Sequence, residues 1–242
     1  MVATNPTARS VSVFEVGPRD GLQNERIRLT VDQKVALIDG LCAAGLKDIE
    51  VGSFVHPKWI PQMADTGDVL RRLAPRPDAR YWVLVPNERG LENALAAGAT
   101  HVAVFVSSSE THNRKNINRT IDESLGDIEV VASAALARGC AVRGYVSTVF
   151  GCPYEGQVDF SRVLDITKRL LASGCRQVSL GDTTGMGTPG YVRTCLERAL
   201  GELPAEQLAL HLHDTRGLAI ANALVGVEAG ITTIDASIGG MG

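Results

Sequence analysis

The chain repeats one unit along its length: a short β-prone run, then a longer run with helical spacing that closes on glycine. The β-prone runs fall at 11–16, 47–51, 81–85, 101–106, 141–146, 177–180, 208–212 and 232–235. The helical runs between them fall at 31–44, 63–73, 89–97, 121–138, 160–172, 189–200 and 218–229. Several helices close on related phrases, Ala43-Ala44-Gly45, Ala96-Ala97-Gly98 and Ala172-Ser173-Gly174. Gly45, Gly98, Gly139, Gly174 and Gly230 each stand between a helix and the next strand, where a left-handed C′ position favours a residue without Cβ. Start signals agree. Thr30 with Gln33 and Thr120 with Glu123 fit the capping box, and Thr188 before Pro189 reads as N-cap then first helical residue. About eight βα units with no linker between them predict the α/β class and a closed (β/α)8 TIM barrel, one catalytic domain over 1–242. A doubly wound open sheet is the alternative. It would want G-x-G-x-x-G after the first strand, and Gly17-Pro18-Arg19-Asp20-Gly21 is not that.

The length of 242 residues suits one such barrel, and a 45% hydrophobic content is enough for a sizeable core. With 24 Lys and Arg against 27 Asp and Glu, the net charge is -3, and no basic surplus or motif calls for nucleic acid. No apolar run approaches the roughly 18 residues of a spanning helix. The first ten residues are polar with a single Arg, which predicts no targeting segment. Five cysteines without a C-x-x-C pair argue against a disulfide framework or zinc knuckle and for a reduced, cytoplasmic setting. The sequence stops at Gly239-Gly240-Met241-Gly242, straight after the eighth β-prone run, so the expected barrel lacks its last helix and the loop before it.

In a barrel of parallel strands, every carboxyl-terminal strand end opens on one face. Arg19, Asp20 and Gln23 follow the first strand, and Glu50 and Ser53 end the second. Arg143 and Tyr145 lie in the fifth, Asp182 follows the sixth, and His211 and His213 close the seventh. Together they predict one polar pocket, with Arg19, Gln23, Ser53, Arg143 and Tyr145 as its substrate-binding groups. In a strand, residues i and i+2 share a side, so both imidazoles of His211-Leu212-His213 reach one point. With Asp20 on the facing rim they form a three-ligand set that suits a non-haem iron, a zinc, or a hard Mg²⁺ or Mn²⁺ ion. Arg19 keeps its proton and offers a planar fork to an enolate or carboxylate. Glu50 either acts directly or orients Arg19, and Asp182 is either catalytic or a turn residue. Cys152 reads as a small packing residue, and Arg114 with Lys115 as a solvated charge cluster on the fourth βα loop.

These residues resemble the hydroxymethylglutaryl-CoA lyases, a family of barrel metallolyases. The resemblance runs through Glu15-Val16-Gly17-Pro18-Arg19-Asp20-Gly21-Leu22-Gln23-Asn24-Glu25 and the stretch from Ser53 to Met63. It continues in Lys115-Asn116-Ile117-Asn118, Arg143-Gly144-Tyr145-Val146-Ser147, Gly151-Cys152-Pro153-Tyr154-Glu155-Gly156, Ser179-Leu180-Gly181-Asp182-Thr183 and His211-Leu212-His213-Asp214-Thr215. It implies a divalent cation, Mg²⁺ or Mn²⁺, and cleavage of 3-hydroxy-3-methylglutaryl-CoA to acetyl-CoA and acetoacetate, a step of leucine degradation and ketone-body formation. It implies Asp20, His211 and His213 as metal ligands and Arg19 as stabiliser of the product enolate. Glu50, Asp182 and His211 would serve positioning and proton transfer. The implied partner is an acyl-CoA, with no nucleic acid and no membrane, and a homodimer is one assembly left open. After Gly-Gly the family continues into a loop with a catalytic Cys and then an Asn metal ligand. This sequence ends before both, which keeps an inactive truncated barrel, or a related metallo-aldolase or acyltransferase, as alternatives.

Overall fold

A computed structural model describes residues 10–242, so the stretch on which the absence of a targeting segment was read lies almost wholly outside the described residues. Eight parallel strands close on themselves in sequence order. They are β1 (Ser12–Glu15), β2 (Asp48–Ser53), β3 (Arg80–Leu84), β4 (His101–Ser107), β5 (Ala141–Ser147), β6 (Val178–Asp182), β7 (Leu208–Leu212) and β8 (Thr233–Ala236). Closure is made by β8, which pairs with β7 on one side and with β1 on the other. Around them lie α1 (Val31–Ala43), α2 (Thr66–Arg72), α3 (Glu88–Ala96), α4 (Glu110–Ile117), α5 (Ile121–Ala137), α6 (Phe160–Ala172), α7 (Pro189–Leu200) and α8 (Ala219–Ala229). Among the described residues, no helix is long and apolar enough to cross a membrane.

Local signals act where expected. Thr30 and Thr120 each accept from the backbone of the residue three on, whose side chain returns the bond. Gly45, Gly98, Gly139, Gly174 and Gly230 all take positive φ, between 76° and 113°. Alternation then sorts the strands. Ile49 and Val51 of β2, Val102 and Val104 of β4, Val142 and Val146 of β5, and Leu208 and Leu210 of β7 face outward. They pack on Ile38 and Leu41 of α1, Ile128 and Val131 of α5, and Leu170 of α6. Full burial of one such side chain contributes about 1.5–3 kcal/mol.

The inward positions are of another kind. Phe14 and Trp82 meet with ring centres 5.6 Å apart at a 53° tilt, but the same interior also buries Glu50, Arg143 and Asp235. Three elements differ from the sequence reading. The second helix begins at Thr66, after a separate 3-10 turn over Pro61–Met63. The fourth βα loop contains α4, so Arg114 and Lys115 sit on a helix, with Arg114 paired to Glu110 at 3.0 Å. The segment after β1 is a buried π-helical turn, Gly17–Gly21.

Candidate metal centre at the mouth of the barrel

The π-helical turn sets Arg19 and Asp20. Pro18 fixes φ at a first-turn position where no N–H is needed, and the Leu22 N–H reaches back to Gly17 O. Glu15, the last residue of β1, anchors the turn: its Oε1 accepts from Gly17 N at 2.7 Å and from Ile238 N at 3.0 Å. A Cβ on residue 17 would lie 2.6 Å from that oxygen, so only glycine admits this contact.

Arg19 is clamped between two carboxylates. Its Nε donates to Glu50 Oε2 and its Nη1 to Asp20 Oδ1, both at 2.6 Å. Burial opposes the charge on Arg19, but Glu50 and then Asp20 outweigh it and raise its pKa. Nη2 has no hydrogen-bond partner among the described residues, and the guanidinium lies 5.7 Å from the centre of the Tyr145 ring. Gln23 Nε2 also donates to Asp20 Oδ1, at 2.7 Å. With Oδ1 taken twice, Oδ2 is the oxygen left to face β7.

There it meets both imidazoles. Asp20 Oδ2 lies 3.4 Å from His211 Nε2 and 3.7 Å from His213 Nε2, and the two nitrogens are 3.1 Å apart. The three donor atoms all lie within 4.8 Å of one another, near enough for one divalent cation to reach each of them. One hard oxygen and two borderline nitrogens leave iron, zinc, magnesium and manganese all admissible as donor chemistry. Burial opposes ionisation of Asp20, yet Arg19 and then His211 hold its carboxyl well below the usual range. Burial likewise opposes a charge on His211, but hydrogen bonds to Asp20 and Asp235 push its pKa up to about 9. His213 is lowered by burial and by neighbouring His211.

The structure thus brings Arg19, Asp20, Gln23, Glu50, Tyr145, His211 and His213 to one mouth. Ser53 ends β2 on the same face, past a register shift between Glu50 and Gly52, and its Oγ accepts from Val55 N at 3.2 Å. Two expected members are elsewhere. Arg143 lies one layer deeper, its Nη2 bound to Asp235 Oδ1 at 2.6 Å and both side chains only 1% exposed, which closes it to a substrate. Asp182 shares the outward side of β6 with Val178 and Leu180. Its two oxygens accept from Met186 N at 2.9 Å and Gly187 N at 3.0 Å. It holds the loop before α7, the turn-residue role, and is not in the three-donor group. Cys152 is buried, its Sγ 2.9 Å from Ser109 Oγ, as a packing residue would be.

The sequence reading missed Asp235. Its signal was present: it is the lone charge in β8, Thr233-Ile234-Asp235-Ala236. Thr148, just after β5, was missed too. It holds φ at 61°, costly for a β-branched residue, while its Oγ1 sits 2.8 Å from Ser107 Oγ.

Fold and site define the class: a (β/α)8 barrel enzyme whose catalytic face carries a three-donor group able to hold a divalent cation. The HMGL-like family model matches residues 10–242. The chain belongs to that family. It is 52% identical over 232 residues to the cytoplasmic 3-hydroxy-3-methylglutaryl-CoA lyase of Danio rerio, covering 96% of this chain and 69% of that one. Among solved structures, the HMG-CoA lyase of Bacillus subtilis superposes with a TM-score of 0.96 at 47% identity, covering 98% of this chain and 80% of that one. An HMG-CoA lyase from Acinetobacter baumannii, solved with coenzyme A and 3-methylmalate, gives 0.92 at 37% identity over 96% of this chain and 76% of its own.

Proposed function

We propose that the chain is a carbon–carbon lyase that cleaves 3-hydroxy-3-methylglutaryl-CoA to acetyl-CoA and acetoacetate. The observation that carries this is Arg19 lodged against Asp20, beside His211 and His213, in a barrel of the HMGL-like family. Asp20 Oδ2, His211 Nε2 and His213 Nε2 would hold Mg²⁺ or Mn²⁺, which when bound polarises the substrate oxygens. In the reaction, a base takes the C3 hydroxyl proton, the C3 oxygen becomes the ketone of acetoacetate, and the C2–C3 bond breaks. The electron pair moves into the thioester as an enolate, which is then protonated to acetyl-CoA.

The chain's own groups suit that course. Arg19 stays protonated and keeps one edge of its fork for the enolate oxygen, an electrostatic role of the kind that contributes several kcal/mol in a dry site. Glu50, fully buried, fixes the guanidinium plane. Tyr145 places a buried hydroxyl, without a partner among the described residues, at the same mouth. Gln23, half-buried, lines the rim where an acyl group would enter, and Ser53 lies buried behind it at the end of β2. Acyl-CoA as substrate is supported by the coenzyme A in the Acinetobacter structure, and a cytoplasmic setting by the name of the Danio relative.

The test is release of acetyl-CoA from 3-hydroxy-3-methylglutaryl-CoA with Mg²⁺ present. The expected result is cleavage that Arg19→Met abolishes while Mn²⁺ binding persists. Turnover of another 3-hydroxyacyl-CoA or a 2-oxo acid, with none of this substrate, would overturn the assignment and favour a related aldolase or acyltransferase.

A further inference from the structure

We propose that Asp235 is the positioning residue of the candidate metal centre, orienting His211 and fixing its Nδ1 as the protonated ring nitrogen, with Arg143 as the buried counter-charge. The inference rests on the metal-centre reading above and goes beyond it, to a carboxylate on β8 that touches neither the cation position nor the mouth.

The register puts His211 of β7 directly beside Asp235 of β8. Both are inward positions, and His211 Nδ1 lies 3.2 Å from Asp235 Oδ2. That oxygen also accepts from Ser179 Oγ at 2.9 Å and from Arg143 Nη1 at 3.2 Å, while Oδ1 accepts from Arg143 Nη2 at 2.6 Å. Three strands, β5, β6 and β7, therefore hold one carboxylate. Arg143 is itself fixed, its guanidinium 3.9 Å from the centre of the Phe14 ring and 4.8 Å from that of Tyr145. A carboxylate so held can only accept from His211, so Nδ1 must carry the hydrogen. In the neutral ring that a cation requires, the lone pair then belongs to Nε2, the atom that faces Asp20 Oδ2 and His213 Nε2. A carboxylate behind a metal-ligating imidazole aims the ring and raises its basicity, and losing it costs about 10–100-fold in metal affinity.

A buried ion pair that only filled the interior would need neither the Ser179 nor the His211 contact. The test separates the two roles. Mn²⁺ affinity is measured by paramagnetic resonance of free Mn²⁺ for the native chain, for Asp235→Asn, and for Arg143→Met/Asp235→Asn. The double variant removes both charges, so the test survives if the single variant fails to fold. The expected result is native binding and a loss of about 10–100-fold in whichever variant folds. In the Mg²⁺-loaded protein, ¹⁵N shifts of His211 should show a fixed Nδ1–H in the native chain and lose it in the variant. Native affinity and an unchanged Nδ1–H signal in the variants would overturn the inference alone. A native chain that binds no Mn²⁺ would overturn the metal centre and this inference with it.

Discussion

At the scale of single residues, the pairing of Arg143 with Asp235 makes one sharp energetic demand. Both groups are almost wholly removed from water, so removing either one leaves the other buried without its main counter-charge, Asp235 keeping only Ser179 and His211. Arg143→Met should therefore cost about 3–5 kcal/mol of unfolding free energy, and Arg143→Met/Asp235→Asn distinctly less, because the double change leaves no charge behind. Urea unfolding of the three proteins checks this, and equal losses in both variants would show that packing on Phe14 and Tyr145 dominates. The same pair shows what single residues reveal in sequence. Strand parity and strand ends were enough to bring Asp20, His211 and His213 to one point. Arg143 was drawn into the same pocket only by lying in β5, which said nothing of depth, and its partner is 92 residues away. For Asp182 the sequence left a catalytic and a turn role both open. It stands at a strand end with outward parity, and its partners are the backbone N–H groups of a loop, which leave no mark in side-chain pattern.

At the scale of elements, caps and clamps carry separable contributions. The Thr120 side chain satisfies the first turn of the seventeen-residue α5, whose buried face includes Leu125, Ile128 and Val131. Thr120→Ala should lower stability by about 0.5–2 kcal/mol in urea unfolding, and Thr120→Ser by much less. At the far end of the barrel, Arg80 Nε donates to Asp48 Oδ1 at 2.6 Å and Trp82 Nε1 to the same oxygen at 2.9 Å, tying β2 to β3. Burial alone would raise the Asp48 pKa, but these bonds outweigh it and leave it below its ordinary 3.8. A carboxyl lowered on folding contributes stability that is fully present above its unfolded value and lost as pH falls through its folded value. Asp48→Asn should accordingly flatten the acid limb of the stability profile below 3.8 and leave its shape above that pH unchanged. A limb of native steepness would remove Asp48 from the account. Long elements with strong alternation or capping were legible, and α4 and the π-helical turn were not. In α4 the only buried residue is Asn113. Its amide accepts from Ser107 N and donates to Arg119 O, Thr120 O and Ser124 Oγ, so a polar hub replaces the apolar stripe that periodicity detects. The π-helical turn owes its shape to Glu15 and Ile238, residues from opposite ends of the chain.

At the scale of the whole molecule, the candidate centre spans the closure of the barrel. Asp20 follows β1, His211 lies in β7 and His213 just past its end, while β8 lies between those strands and completes the ring. The ladder there is short, with two register pairs between β7 and β8 against seven between β4 and β5. A cation held by Asp20, His211 and His213 would join the two strands flanking β8, and would bind the closed barrel far better than the unfolded chain. Mass action then sets the gain: at a hundred times the dissociation constant, about 2.7 kcal/mol. For a chain of this size, that corresponds to a rise of roughly 5–10 °C in melting temperature. Mn²⁺ or Mg²⁺ should raise the calorimetric Tm by that amount, EDTA should reverse it, and Asp20→Asn should abolish the rise. The control is Asp48→Asn, at the opposite end of the barrel, which should lower the starting Tm and keep the full metal-dependent increment. An increment that survived in Asp20→Asn would place the stabilising cation away from the mouth and separate the metal from the carboxylate that Arg19 and Gln23 hold in position.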